Sequence, residues 1–330
     1  MPKRRVETAY RLPVGGRQAQ RRRERRVQLL AVALGLFAIA AALVIVGVAY
    51  YDTYVKPRGQ TVARVGDTSF TAGYFAKRLA ISLGPFATAD QASLVQVLAD
   101  LTLEDMVREE LARQGAPELG ISITRDEVEQ EIADRVGVSR EDREAFDRAY
   151  RRDLEQSGLS LDQYWALAEA RLYQDRIREH LRSQLPEQAP QVHVRLIEVG
   201  SEEEARRAIE RLDAGEEFAV VAQELSTHTS RASGGDAGWL VRETQDPAFE
   251  EAAFSLPVGA RSGPVALADG HYWVFQVLER EDARPLTDQQ RDELLEARVD
   301  AWYQQQEERV GVERLLTEEK LRWAVRQALG

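Results

Sequence analysis

Between Arg26 and Asp52 the chain runs for 25 residues without a charge, VQLLAVALGLFAIAAALVIVGVAYY, residues 27–51. As a helix this run spans roughly 37 Å at about 1.5 Å per residue, more than the ~30 Å hydrocarbon core of a bilayer. It is apolar on every face, unlike an amphipathic surface helix. Tyr50, Tyr51 and Tyr54 stand where an interfacial aromatic belt would lie. Gly47-Val48-Ala49 offers a small-x-small cleavage site. The run is nevertheless longer than the ~7–15 apolar residues of a signal peptide, so the expectation is an uncleaved transmembrane signal anchor. Residues 1–26 hold ten Lys/Arg and two acids, a balance of +8, which leaves −19 on the remainder of a chain whose net charge is −11. The positive-inside rule puts this basic tail in the cytoplasm and the bulk of the chain outside a cell membrane crossed once.

The composition narrows the chemistry. There is no cysteine, hence no disulfide framework, no thiolate nucleophile and no cysteine metal cluster. Only four histidines occur, His180, His193, His228 and His271, and no two have the helical i, i+4 spacing of a metal pair. No metal and no cofactor are expected. The acidic remainder is unsuited to nucleic acid, because phosphate binding needs a basic surface.

Beyond the linker Lys56-Pro57-Arg58-Gly59, residues 61–70 read as two short strands about a Gly66-Asp67 turn. Helical periodicity follows over 71–83, stopped by Gly84-Pro85, and over 91–114, with Gly115 past its end. Thr124 to Glu127 and Ser160 to Gln163 are capping boxes, opening helices to about Val136 and about Leu185. A charged amphipathic helix over 140–156 lies between them, and Pro186 and Pro190 mark a boundary. The pattern then changes to a strand (192–199), two helices (202–215 and 216–226), the glycine-rich ASGGDAGW (232–239), a short helix (247–254) and two strands (262–267 and 272–279). Residues 287–330 read as helical, with Leu294, Leu295, Val299, Trp302 and Tyr303 on one side.

Five ordered motifs in 192–280 resemble the parvulin family of peptidyl-prolyl cis-trans isomerases. They are VHVRLIEV (192–199), AGEEFA (214–219) with Ala222 and Ser226, GGDAGW (234–239), FEEAAF (249–254), and LPVG (256–259) with SGPV (262–265). The flanks resemble extracytoplasmic foldases of the SurA and PrsA type. The resemblance implies an α+β protein: a parvulin-like α/β domain of order βααβαββ (190–282) inserted in a helical SurA/PrsA-like chaperone domain (60–185), with the C-terminal helix (285–330) packing back on that domain. The basic tail (1–26) and the transmembrane helix (27–51) precede it. The glycines and Asp236 are expected to shape a loop turning back over the sheet, and Trp239 to cover the core.

Prolyl isomerisation breaks no covalent bond. The barrier of about 18–20 kcal/mol is lost amide resonance. An enzyme need only hold the proline ring in an apolar pocket and favour the twisted, desolvated amide. Carried over position by position, the resemblance puts the pocket phenylalanine on Phe249, a neighbouring wall residue on Gln245, and a third on Ala237. The family's Cys/Asp position falls on His228. Its first-strand histidine falls on Leu196, and its last-strand histidine on Tyr272 or Trp273, depending on a one-residue gap. Neither family histidine is therefore in place. His228 and Tyr272 are the expected catalytic residues; Phe249, Gln245, Ala237, Leu196 and Trp273 are the expected substrate-binding residues. His180 is expected on a helix surface, His193 on the exposed face of a strand, and His271 in a turn. The implied function is a membrane-anchored extracytoplasmic foldase, an isomerase with chaperone activity on unfolded or exported polypeptides with Xaa-Pro bonds. The alternatives are an isomerase-inactive holdase using the fold as a peptide-binding module, and an envelope scaffold for other membrane proteins.

Overall fold

The computed structural model describes residues 39–51, 55–84 and 92–329. The expected basic tail and residues 27–38 of the expected membrane span therefore lie outside the described residues. Residues 39–50 are helical (α1), and Leu43, Ile45, Val46 and Val48 are exposed on it. Among the described residues no helix is long and apolar enough to cross a membrane.

Strands β1 (Thr61–Val65) and β2 (Thr68–Thr71) form the expected hairpin, with Gly66 at φ +56° in its turn. Thr71 then caps α2 (Ala72–Leu83), its hydroxyl accepting from the Tyr74 N–H. Helix α3 (Ala92–Gly115) follows. Both capping boxes form, opening α4 (Arg125–Val136) and α6 (Leu161–Ser183), with α5 (Arg143–Ser157) between them. Between α2 and α3 the Arg78 guanidinium grips Glu109 with two bonds of 2.6 and 2.7 Å.

The core of this helical module is closed by residues from the far end of the chain. Phe75, Leu79, Met106, Leu111 and Ile177 pack in one cluster with Leu295, Val299, Trp302 and Tyr303 of α10 (Asp288–Val310) and Trp323 of α11 (Glu318–Ala328). The expectation of unbroken helix over 287–330 needs correction. Gly311 ends α10, and β7 (Val312–Arg314) pairs with β1 to give a sheet of order β2-β1-β7 before α11 begins. Three residues are too few for a period-2 pattern to show in sequence.

Residues 188–285 form an insertion between α6 and α10. Its antiparallel sheet has the order β4-β3-β6-β5. Strand β3 (Gln188–Val199) starts earlier, and β6 (Tyr272–Pro285) ends later, than the hydrophobic pattern predicts. The extra residues pair with each other, Gln188 with Pro285 and Ala189 with Arg284, and tie together the two ends of the insertion. Pro190 is tolerated inside β3 because the register shifts between Ala189 and Gln191, so its missing N–H falls at an irregularity. Strand β5 is only Val265–Ala266, shorter than expected. Helices α7 (Glu202–Asp213) and α8 (Phe218–Leu225) cover one face of the sheet and α9 (Pro247–Ser255) the other. With β4 (Asp236–Val241) the order is βααβαββ.

One side chain joins the insertion to the module. Gln290, in the first turn of α10, accepts from the Thr287 N–H at 3.1 Å, and its amide donates to Gln191 Oε1 and the Trp239 carbonyl, each at 3.0 Å. Gln191 has no exposed surface, and its own amide donates to the Arg284 and Pro285 carbonyls. Every side-chain polar atom of these two amides is thus satisfied.

Trp302 is the test of the shared core, since its indole lies where a Cβ on Gly115 would come within 2.7 Å. Trp302→Ala is expected to destabilise the helical module by about 3–5 kcal/mol in urea denaturation. A loss below about 1 kcal/mol would mean that α10 does not complete the core.

Candidate functional site

Strand alternation decides which side chains meet. Val192, Val194 and Leu196 of β3 pack with Trp273, Phe275 and Val277 of β6 on the α9 face. Ile197, Val199 and Val274 pack on the opposite face beneath α7 and α8. Phe249 comes from α9, whose first turn is set by Pro247 and by the Asp246 carboxylate accepting from the Ala248 N–H. Its ring meets Trp273 edge-on at 5.0 Å and Phe275 at 4.9 Å between centroids. Phe249 and Leu196 are both 0% exposed, so they form the floor of the site, and Trp273, at 9%, lies over Phe249.

The one-residue ambiguity at the start of β6 resolves to Trp273. Tyr272, an expected catalytic residue, packs against the core of the opposite face, away from Phe249. A strand exposes successive residues to opposite faces, so Tyr272 and Trp273 cannot both face α9.

His228 does reach the site. Its ring lies edge-on to the Trp273 indole at 5.7 Å. It caps a short 3-10 turn, Thr229–Ser233, in which Nδ1 accepts the Ser230 N–H at 3.1 Å. A backbone N–H can only donate, so the neutral ring carries its proton on Nε2. The loop is anchored by Ser226, whose buried hydroxyl accepts from the N–H groups of both Glu198 and His228. Ala237 sits against the Phe249 core. Gln245 is half-buried in the turn before α9, where its N–H donates to Glu250 Oε1 and its side-chain amide to Thr244 Oγ1.

The glycine-rich loop is scaffold. Gly235 has φ +87°, and a Cβ there would stand 2.7 Å from the Leu196 carbonyl oxygen. Its N–H donates to the Ser230 carbonyl and its own carbonyl accepts from the Leu196 N–H, so the loop is laced to the β3 backbone at Leu196 and packs against Phe218 and Ala222 of α8. Asp236 Oδ1 accepts the Gly238 N–H at 2.9 Å and pairs with His193 Nε2 at 2.9 Å. Burial pushes the Asp236 carboxyl upward, but these two bonds outweigh it and hold the group below its ordinary value of 3.8.

Two expectations change here. His193 is not a free exposed residue: it pairs with Asp236 and stacks on Trp239 at 5.5 Å. Trp239 does not cover the core but lies between His193 and the Arg284 guanidinium, 4.0 Å from its ring. His193 and Trp239 are register partners in the β3–β4 ladder, which places both on one face. His271 sits in the turn before β6, hydrogen-bonded to Asp269, and His180 near the end of α6 lies 2.9 Å from the Gln184 amide. Among the described residues no group of three acids or histidines is placed to hold a metal ion.

Sequence reasoning missed Glu198. Its carboxylate accepts the Trp273 Nε1–H at 3.1 Å on one oxygen and the Thr227 hydroxyl at 2.9 Å on the other. The signal was available: Glu198 is a lone charge two residues beyond Leu196, on the same strand face. Elsewhere, two clefts of about 390 and 490 Å³ in the helical module share Glu109 in their walls. The first is lined by charge, including Arg135 and Arg171. The second includes Phe70, Tyr74, Ala166 and Ala170.

Residues 196–277 match the family model of the PPIC-type PPIASE domain, and residues 20–182 match that of the SurA-like N-terminal domain. The chain joins these two domains. It is similar to the foldase protein PrsA of Bacillus subtilis, 33% identical over 31% of this chain and 35% of that protein. It is also similar to the chaperone SurA of Methylobacillus flagellatus, 42% identical over 27% of this chain and 22% of that one. These matches span about a third or less of the relatives' length. The crystal structure of peptidylprolyl isomerase PrsA from Bacillus anthracis aligns with 63% of this chain and 96% of that one, at 20% identity and a TM-score of 0.45.

Two predictions test the scaffold. Gly235→Ala is expected to cost about 2–4 kcal/mol, from a strained backbone and a forced contact with β3, and thermal unfolding would measure it. For Asp236 the folded value is depressed. Its contribution to stability is present above pH 3.8 and is lost as pH falls through the lower folded value. The stability gap between the wild type and Asp236→Asn should therefore close on acidification from about pH 5 to about pH 2 in urea titrations.

Proposed function

We propose that this chain is a membrane-anchored foldase acting outside the cytoplasm. Its PPIC-type domain would catalyse cis-trans isomerisation of Xaa-Pro bonds in unfolded or exported polypeptides, while the helical module holds the client. The observation that carries this reading is the aromatic cluster of Phe249, Trp273 and His228 inside the segment that matches the PPIC-type domain. Aromatic walls suit a proline ring and exclude water from the twisting amide. The neutral His228 ring offers its Nε2–H to the substrate carbonyl. Anchoring by residues 27–51 is supported by the length of the uncharged run and by the exposed apolar side chains of α1.

A second reading, a holdase without isomerase activity, is favoured by a specific observation. Leu196 stands where the resembling family has a histidine, and the Trp273 indole already covers Phe249. In this reading the clefts beside Glu109 and the aromatic cluster only grip peptide.

Exchange measurements on Xaa-Pro peptides with the full chain in detergent separate the two. Isomerase function predicts acceleration by the wild type that drops roughly tenfold in His228→Ala, about the loss of one hydrogen bond in the transition state. No acceleration of any peptide, with aggregation of an unfolded client still suppressed, would leave the holdase.

A further inference from the structure

We propose that Glu198 is a specificity-determining residue that selects clients carrying arginine or lysine next to the proline. The inference rests on the peptide-binding reading of the aromatic cluster and adds a substrate class to it. Along the α9 face of β3, Val192, Val194 and Leu196 are apolar and fully buried. The next residue of that face, Glu198, is a half-buried carboxylate opposite Trp273 in the ladder. A carboxylate in such a place needs hydrogen bonds, and it has one on each oxygen, from the Trp273 indole and the Thr227 hydroxyl. Both donors are neutral. They fix the group in position without cancelling its charge. Among the described residues no Lys, Arg or His nitrogen pairs with Glu198, whereas Glu104, Glu109, Glu110 and Glu216 each have a guanidinium partner.

An ionised carboxylate accepts about four hydrogen bonds, so two acceptor positions on Glu198 remain for a ligand. They lie beside the Trp273 indole. A guanidinium or ammonium flanking a bound proline finds there a charge-assisted hydrogen bond. An acidic residue in the same position meets like charge. An apolar one gains nothing from the carboxylate. Selectivity thus comes from an unneutralised charge held still by neutral donors.

The test uses the full chain in detergent and four labelled peptides: Arg-Pro, Leu-Pro, Glu-Pro and Pro-Arg. Binding is read by fluorescence anisotropy and isomerisation by exchange rates. The wild type is expected to favour an arginine-bearing peptide over Leu-Pro by roughly three- to fivefold, the size of a partly exposed ion pair, with Glu-Pro weakest. In Glu198→Gln, which keeps an acceptor for the indole, the ratio should fall to about one. The wild-type ratio should also shrink at about 1 M salt, a readout that needs no variant. A general structural defect would lower all four peptides together and leave the ratio intact. Absence of the preference, or its survival in Glu198→Gln, overturns the inference. If no peptide is isomerised while the binding ratio behaves as expected, the isomerase reading fails and the role of Glu198 stands. If no peptide binds, both fail.

Discussion

The helical module cannot close its core with consecutive residues. β1 has β2 on one side, but its other edge is covered only by β7, which lies after the whole insertion. Likewise Phe75, Leu79 and Met106 are sealed by Trp302, Tyr303 and Trp323. The chain must therefore leave this module after α6 and return to it at α10. The two ends of whatever lies between must be close together. The pairing of Gln188 with Pro285 at the base of the long β3–β6 ladder meets that demand. Gln191 and Gln290 then join the base of the ladder to the start of α10 through bonds that leave no buried polar atom of theirs unmet.

The same ladder builds the site. An antiparallel pair places its two strands' side chains on common faces, so Leu196 lies with Phe275 and Glu198 with Trp273. α9 covers one face and contributes Phe249; α7 and α8 cover the other. The loop after α8 then brings His228 round the edge of the sheet, held by Ser226 and by the backbone bonds of Gly235. The motif that ends in Ser226 and the one that opens on Gly234-Gly235 thus have one physical task. They tie a loop to β3 where a side chain larger than hydrogen at Gly235 would strike the Leu196 carbonyl.

What results is an aromatic cluster with few polar groups beside it: the His228 imidazole and the anchored Glu198 carboxylate. For a reaction whose barrier is lost resonance, with no bond to break, this is a sufficient kind of environment in principle. The same features suit a site that only binds. The difference between the two lies in whether the site prefers the twisted amide, and the proposed function turns on that preference.

Much of this was legible from residue order. Capping boxes at Thr124 and Ser160 act within one turn, so three-residue spacing is enough to place α4 and α6. The glycine loop and the order βααβαββ were also readable, because spaced motifs preserve local geometry. The uncharged run 27–51 is a sequence-level fact whose first part lies outside the described residues. Tertiary structure decided the rest. It chose Trp273 over Tyr272, because a single residue of register exchanges the faces of a strand. It turned His193 and Trp239 into a stacked pair linked to Asp236 and Arg284, added β7, and lengthened β3 and β6. Sequence fixes what is bonded within a few residues along the chain. It left open which distant strand would lie alongside, because pairing partners there are selected by the closure of a shared core and not by any local preference.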